Sequence, residues 1–233
     1  MIEDILPAED CGKDGVVLYG LHGTGHSEET ENDAVVPVRT DYMNPDKLND
    51  YRRRIWKIAS EHGFHDKPIP RWHYLGLIMT EVAEAVEADR NSRRADIYRM
   101  DSCVTSLNAA DESKLRQLVF KEYYDCHVKG TVEEEFADIV IRILDMGQDI
   151  HGERMVWFLD DQQLYPYNKR ISFIENAWCF VRRVLGWGMS NINHCLRFMF
   201  DWSEDLGIDL DKQIEWKMKY NELRPYKHGG KKY

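Results

Sequence analysis

Between Thr131 and Ile150 the apolar residues Val132, Phe136, Ile139, Ile143, Met146 and Ile150 recur at steps of four and three. That period places them on one side of a helix about five turns long, with a buried stripe facing a core. Thr131 and Glu134 have the T-x-x-E spacing of a capping box, which fixes the start of the helix. An element this long and this regular constrains the chain more than any other segment.

The rest of the pattern is mostly helical. A helix is expected to start near Asn44-Pro45, with proline in its first turn, and to run through Leu48, Tyr51, Ile55 and Ile58 to Gly63. A second runs from Pro70 to about Asp89 on the stripe Leu75, Ile78, Val82, Ala85, Val86. Residues 90–130 are mixed, with a short helix predicted over Asp111–Tyr124. The aromatic-rich stretch 151–205 reads as one or two helices broken near Gly186-Trp187-Gly188. A last helix runs from the N-cap Asp209 to Leu223, where Pro225 stops it. The predicted fold class is all-α, a helical bundle. Residues 1–45 form a loop-rich extension with a short strand at Val16-Val17-Leu18-Tyr19, and residues 46–233 form the helical domain. Five of the seven tryptophans lie between Trp157 and Trp216, which suits either core packing or an oligomer interface.

Composition excludes several functions. No apolar run approaches the roughly 20 residues that span a bilayer. The acidic first 14 residues lack the basic start of a secretory signal. Five scattered cysteines, with no CxxC pair, argue against a disulfide framework or zinc knuckle and for the reducing cytoplasm. A net charge of −10 is the wrong sign for duplex nucleic acid. It does not exclude phosphate ligands, because a bound metal inverts the local field.

The chemistry lies in two acidic pairs. Glu81 and Glu84 sit in the second helix, and Glu135 and Asp138 in the helix after Thr131. In each pair the acids are three residues apart, share a helix face, and border the apolar stripe. If the stripes pack together, four carboxylates converge. Such a group repels itself and calls for a cation. An all-oxygen set selects a hard ion, Mg²⁺ first and Mn²⁺ second. A di-iron bundle would need Glu-x-x-His pairs, which are missing here. With 41 acids in 233 residues, the same spacing also arises on solvated faces. Arg142, one turn after Asp138, is a candidate partner for the acids.

On the last helix Lys217, Asn221 and Arg224 share a face. From Lys212 to Tyr233 there are seven Lys or Arg against two Glu, a phosphate-facing balance or a frayed basic tail. Arg90, Arg93 and Arg94 read as a solvated cluster at a helix end. Trp56, Trp72 and His73 are candidates for stacking on a base, with core packing the expected fate of the tryptophans. The segment Gly20-Leu-His-Gly-Thr-Gly lacks the Gly-Lys-Ser/Thr ending of a phosphate loop.

Three stretches, "MTEVAEAVEADR", "TVEEEFADIVIRILDMG" and "KMKYNELRPYKHGGK", in this order, resemble the MazG-like, all-α nucleoside triphosphate pyrophosphohydrolases, which include dimeric dUTPases. The resemblance covers roughly residues 46–150 and 205–232. It implies a bundle that assembles as a homodimer or homotetramer and Mg²⁺ held by Glu81, Glu84, Glu135 and Asp138. It implies phosphate or sugar contacts from Lys217, Asn221 and Arg224, and a nucleoside triphosphate cut to monophosphate and pyrophosphate. Glu84 or Glu81 is then the expected base. Residues 85–134 make a long insertion for this family, and residues 1–45 and 151–205 lie outside its core pattern. The alternative expectation is a bundle that binds nucleotide without turnover.

Overall fold

The computed structural model describes residues 44–108, 114–155, 157, 166–186 and 189–230, whose regular elements are all helices, with no strand among them. The expected N-terminal strand and loop lie outside the described residues. Eight helices carry the fold: α1 (Pro45–Glu61), α2 (Arg71–Arg90), α3 (Ile97–Asn108), α4 (Lys114–His127), α5 (Val132–His151), α6 (Phe173–Val184), α7 (Met189–Asp205) and α8 (Leu210–Glu222). No helix is long and apolar enough to cross a membrane among the described residues.

The helix starts follow the predicted chemistry. Asn44 Oδ1 accepts the N–H groups of Asp46 and Lys47, ahead of Pro45 in the first turn. Thr131 accepts the N–H of Glu134, and Asp209 that of Lys212. Each side chain satisfies a donor that helix geometry leaves without a partner.

The core is built around α5, which packs against α1, α2, α7 and α8. Fourteen of its residues are buried, far more than one stripe supplies. Surrounded on most sides, α5 buries even the acids of its first turn, Glu133, Glu134 and Glu135. Phe136, Phe173, Phe198 and Trp202 join in one aromatic cluster where α5, α6 and α7 meet.

The region 90–130 differs from expectation. It folds as two helices, α3 and α4, around a second, smaller core of Met100, Cys103, Leu107, Phe120, Tyr124 and Val128, closed by Trp216 and Tyr220 from α8. The tryptophans also divide. Trp202 and Trp216 are buried, whereas Trp72 and Trp178 are 72% and 62% exposed. Core packing therefore fails for Trp72, whose position on α2 faces away from α5.

At the end of α1, Gly63 adopts φ +78°, and a Cβ there would fall 2.2 Å from the ring of Tyr226. Glycine thus permits both the turn and the approach of the C-terminal segment. His62 holds that segment through Nε2 to the carbonyl of Arg224 at 2.8 Å, and its own carbonyl accepts the N–H of Lys227. Tyr226 donates to Asp66.

Candidate metal centre and adjoining cavity

Helices α2 and α5 pack closely enough to bring three of the four predicted acids together. One carboxylate oxygen each from Glu81, Glu84 and Glu135 lies within 4.8 Å of the others. Glu81 and Glu135 are buried, while Glu84 is exposed and opens the group to solvent.

The cost of this arrangement appears in the acidities. Burial pushes Glu135 up to about 9, reinforced by the charges of Asp138, Glu134 and Glu84 and opposed by Lys217. Glu81 is raised as well, by burial first and then by Asp138, with Arg142 pulling the other way. Desolvation and like charge act in the same direction, so the site favours either protons or a cation. The donor set is all oxygen, which suits a hard divalent ion.

Two cations already flank the acids. Arg142 Nε donates to Glu81 Oε1 at 3.0 Å, as its position one turn past Asp138 suggests. Lys217, only 5% exposed, lies 2.5 Å from Glu134 Oε1 and 2.6 Å from Asp138 Oδ2. Burial lowers its pKa, but Asp138 and Glu134 outweigh that and hold the ammonium above its usual range. Two sequence assignments are therefore placed differently. Asp138 adjoins the carboxylate group but turns an oxygen to Lys217. Lys217 is committed inside the protein rather than presented to a phosphate.

Glu134, expected to close a capping box on Thr131, instead turns its carboxylate to this network, and only the Thr131 half of the box forms. Its second oxygen accepts the N–H of Gly130, ahead of the helix. Its burial depends on Lys217, 83 positions away, so no local pattern reveals it.

The other two residues of the C-terminal trio have different surroundings. Asn221 lines a cavity, and its Oδ1 is buried without a hydrogen-bond partner. Arg224 places its guanidinium 5.9 Å from the centre of the Tyr220 ring and pairs with no carboxylate among the described residues. By contrast, Arg90 binds Glu87 at 2.8 Å and Arg94 binds Asp89 at 3.2 Å, as solvated helix-end charges do.

No family model, curated protein or solved structure matches this chain. The geometry of the site therefore has to carry the functional argument.

The cavity encloses about 270 Å³ and extends from the Arg142 side of the acids. Ile55 and Ile58 of α1, Tyr74 and Leu77 of α2, Ile141, Arg142 and Asp145 of α5, and Met218 and Asn221 of α8 form its walls. Phe64, Lys227 and His228 close the end formed by the C-terminal segment. An apolar chamber with a few converging polar groups is the usual form of a small-molecule site. Of the three proposed stacking residues only His73 lines it; Trp56 instead stacks on His65 at 5.3 Å.

Asp145 stands out among the polar groups. It is 6% exposed, and its Oδ1 lies 2.9 Å from Nε2 of His65. The pattern that exposes it was present in the sequence: Asp138, Arg142 and Asp145 recur at steps of four and three on one face of α5.

Proposed function

We propose that the chain is a magnesium-dependent nucleoside triphosphate pyrophosphohydrolase, converting (d)NTP and water into (d)NMP and pyrophosphate. The observation that carries this reading is the convergence of Glu81, Glu84 and Glu135 within 4.8 Å, next to a cavity large enough for a nucleobase. The order of groups along α5 and α8 agrees with it. Carboxylates lie at one end, Arg142 between, and Asp145 with Asn221 at the cavity end. A nucleotide lying along these helices would place its phosphates at the acids and its base in the chamber.

Glu81, Glu84 and Glu135 would hold the ion, with Asp138 beside them. Magnesium would supply charge neutralisation for a triphosphate and acidify water near the α-phosphorus. Glu84, the exposed member, is placed to orient the attacking water and accept its proton. The water oxygen bonds to the α-phosphorus, the bond from it to the α–β bridging oxygen breaks, and pyrophosphate leaves with the electron pair. Arg224, lacking an acidic partner, is available to the leaving phosphates. Lys217 acts indirectly, as the buried counter-ion of Glu134 and Asp138 beside the centre.

Incubation with a panel of nucleoside triphosphates tests the reading. The expected result is magnesium-dependent release of pyrophosphate rather than orthophosphate. Glu84→Gln should lower kcat by about 10²- to 10⁴-fold, the usual contribution of a positioned general base. Because Glu84 is exposed, the substitution should leave the melting temperature nearly unchanged. Undiminished activity in that variant removes Glu84 from the mechanism.

A further inference from the structure

The carboxylate of Asp145 is the one acid in the cavity wall that α5 itself aims there, seven residues past Asp138. Seven residues of helix rise about 10 Å, which carries the chain from the acid cluster to the far end of the chamber. His65 engages only one of its oxygens, and the other takes no hydrogen bond from the described residues. The neighbouring Tyr74 hydroxyl is buried and takes no hydrogen-bond partner among the described residues. Across the cavity Asn221 keeps a buried amide oxygen without a partner. Both groups are on helices; His65 accounts for one oxygen of Asp145, and no hydrogen bond accounts for the amide oxygen of Asn221.

A carboxylate beside an imidazole accepts hydrogen bonds and donates none. Facing a partly open cavity of mixed polarity, it repels a carbonyl oxygen and attracts an N–H group. The Asn221 amide, which both accepts and donates, makes no such choice. Arg142, also in the wall, is committed to Glu81.

We infer that Asp145, oriented by His65, reads the base, and that the cavity selects nucleobases bearing an exocyclic amino group over their keto counterparts. This rests on the pyrophosphohydrolase reading and narrows its substrate class. Cytosine, adenine and guanine each present amino hydrogens to such an acceptor. Uracil and hypoxanthine present a carbonyl oxygen where cytosine and adenine carry the amine. Sites built around a buried hydrogen-bonding group reject analogues that cannot complete the bond far more strongly than apolar pockets reject a change of size.

The test uses matched pairs, dCTP with dUTP and ATP with ITP, on the full-length protein with magnesium. Wild type should show kcat/KM at least about tenfold higher for the amino member of each pair. Asp145→Asn, nearly identical in shape, adds a donor and should shrink each ratio by about tenfold or more. Equal rates within both pairs, or ratios untouched by the substitution, overturn the inference. The wild-type ratios alone can do so if the variant does not fold. Calorimetric titration with the α,β-methylene analogues of dCTP and dUTP separates this inference from the reading beneath it. Tighter binding of the dCTP analogue without hydrolysis of any triphosphate would keep base selection and discard the enzyme. Turnover without base preference would do the reverse.

Discussion

Lys217→Met is expected to cost about 3–5 kcal/mol of folding stability at neutral pH, the usual penalty for removing one partner of a buried ion pair. The lysine is 5% exposed, and the two carboxylates it pairs with lie 2.5 and 2.6 Å away. Methionine keeps most of the stem and removes the charge. Glu134, itself 3% exposed, then faces Asp138 and Glu135 with only its hydrogen bond from Gly130. The pH dependence follows from the directions of the shifts. The folded pKa of Lys217 is held above its unfolded value, so its contribution is complete below the unfolded value and fades only as pH rises through the folded one. Wild type therefore keeps this contribution across the neutral range. In the variant the acids can relieve their repulsion only by taking up protons, so its deficit should shrink as the pH falls toward about 5. Urea denaturation of both proteins at about pH 5 and about pH 8 measures this. A difference below about 1 kcal/mol at the higher pH contradicts the assignment of Lys217 as the buried counter-ion.

The second large effect concerns Glu135. Its folded value, about 9, lies above the ordinary 4.5, so the folded protein holds a proton that the unfolded chain releases. Between those two values unfolding releases a proton, and stability falls as the pH rises. Wild type without divalent ions should lose stability steadily from about pH 5 to about pH 9, and Glu135→Gln should flatten that slope. At about pH 8 the amide variant is expected to be the more stable of the two by roughly 2 kcal/mol, a value kept below the full linkage because its neighbours share the protons. Magnesium should reverse the order. An ion at 100 times its dissociation constant adds about 2.7 kcal/mol to a protein that binds it only when folded. Thermal melts with and without magnesium show whether wild type alone receives that gain.

These expectations rest on features that the sequence displays unevenly. α1, α2, α5 and α8 are legible because each has its own apolar period and a local cap. Asn44, Thr131 and Asp209 donate or accept within three residues, so no distant partner is needed to place the helix starts. The pair α3 and α4 is less legible. Met100, Cys103 and Leu107 find part of their core on Trp216 and Tyr220, more than a hundred positions on. The same distinction divides the site. Glu81, Glu84 and Glu135 border apolar stripes, and the packing of α2 on α5 brings them together. Lys217 carries no local sign that it will be buried, and its charge on an otherwise basic stretch suggests an outward role. Only tertiary packing places it on Glu134 and Asp138. The cavity is assembled from four helices and the C-terminal segment, a juxtaposition no single motif encodes. Asp145 is an intermediate case, because its spacing from Asp138 was visible but its neighbour His65 was not.

On the proposed reading, Glu81, Glu84 and Glu135 exchange a retained proton for a divalent cation. Titrating magnesium into the wild-type protein near pH 7.5, in two buffers of different ionisation enthalpy, measures binding and proton release together. The account predicts saturable binding with about one proton displaced per protein, because metal must evict the proton that Glu135 retains. It also predicts that Glu81→Gln and Glu135→Gln both abolish the signal. Absence of magnesium binding up to about 10 mM, or binding that persists at full strength in those variants, contradicts it.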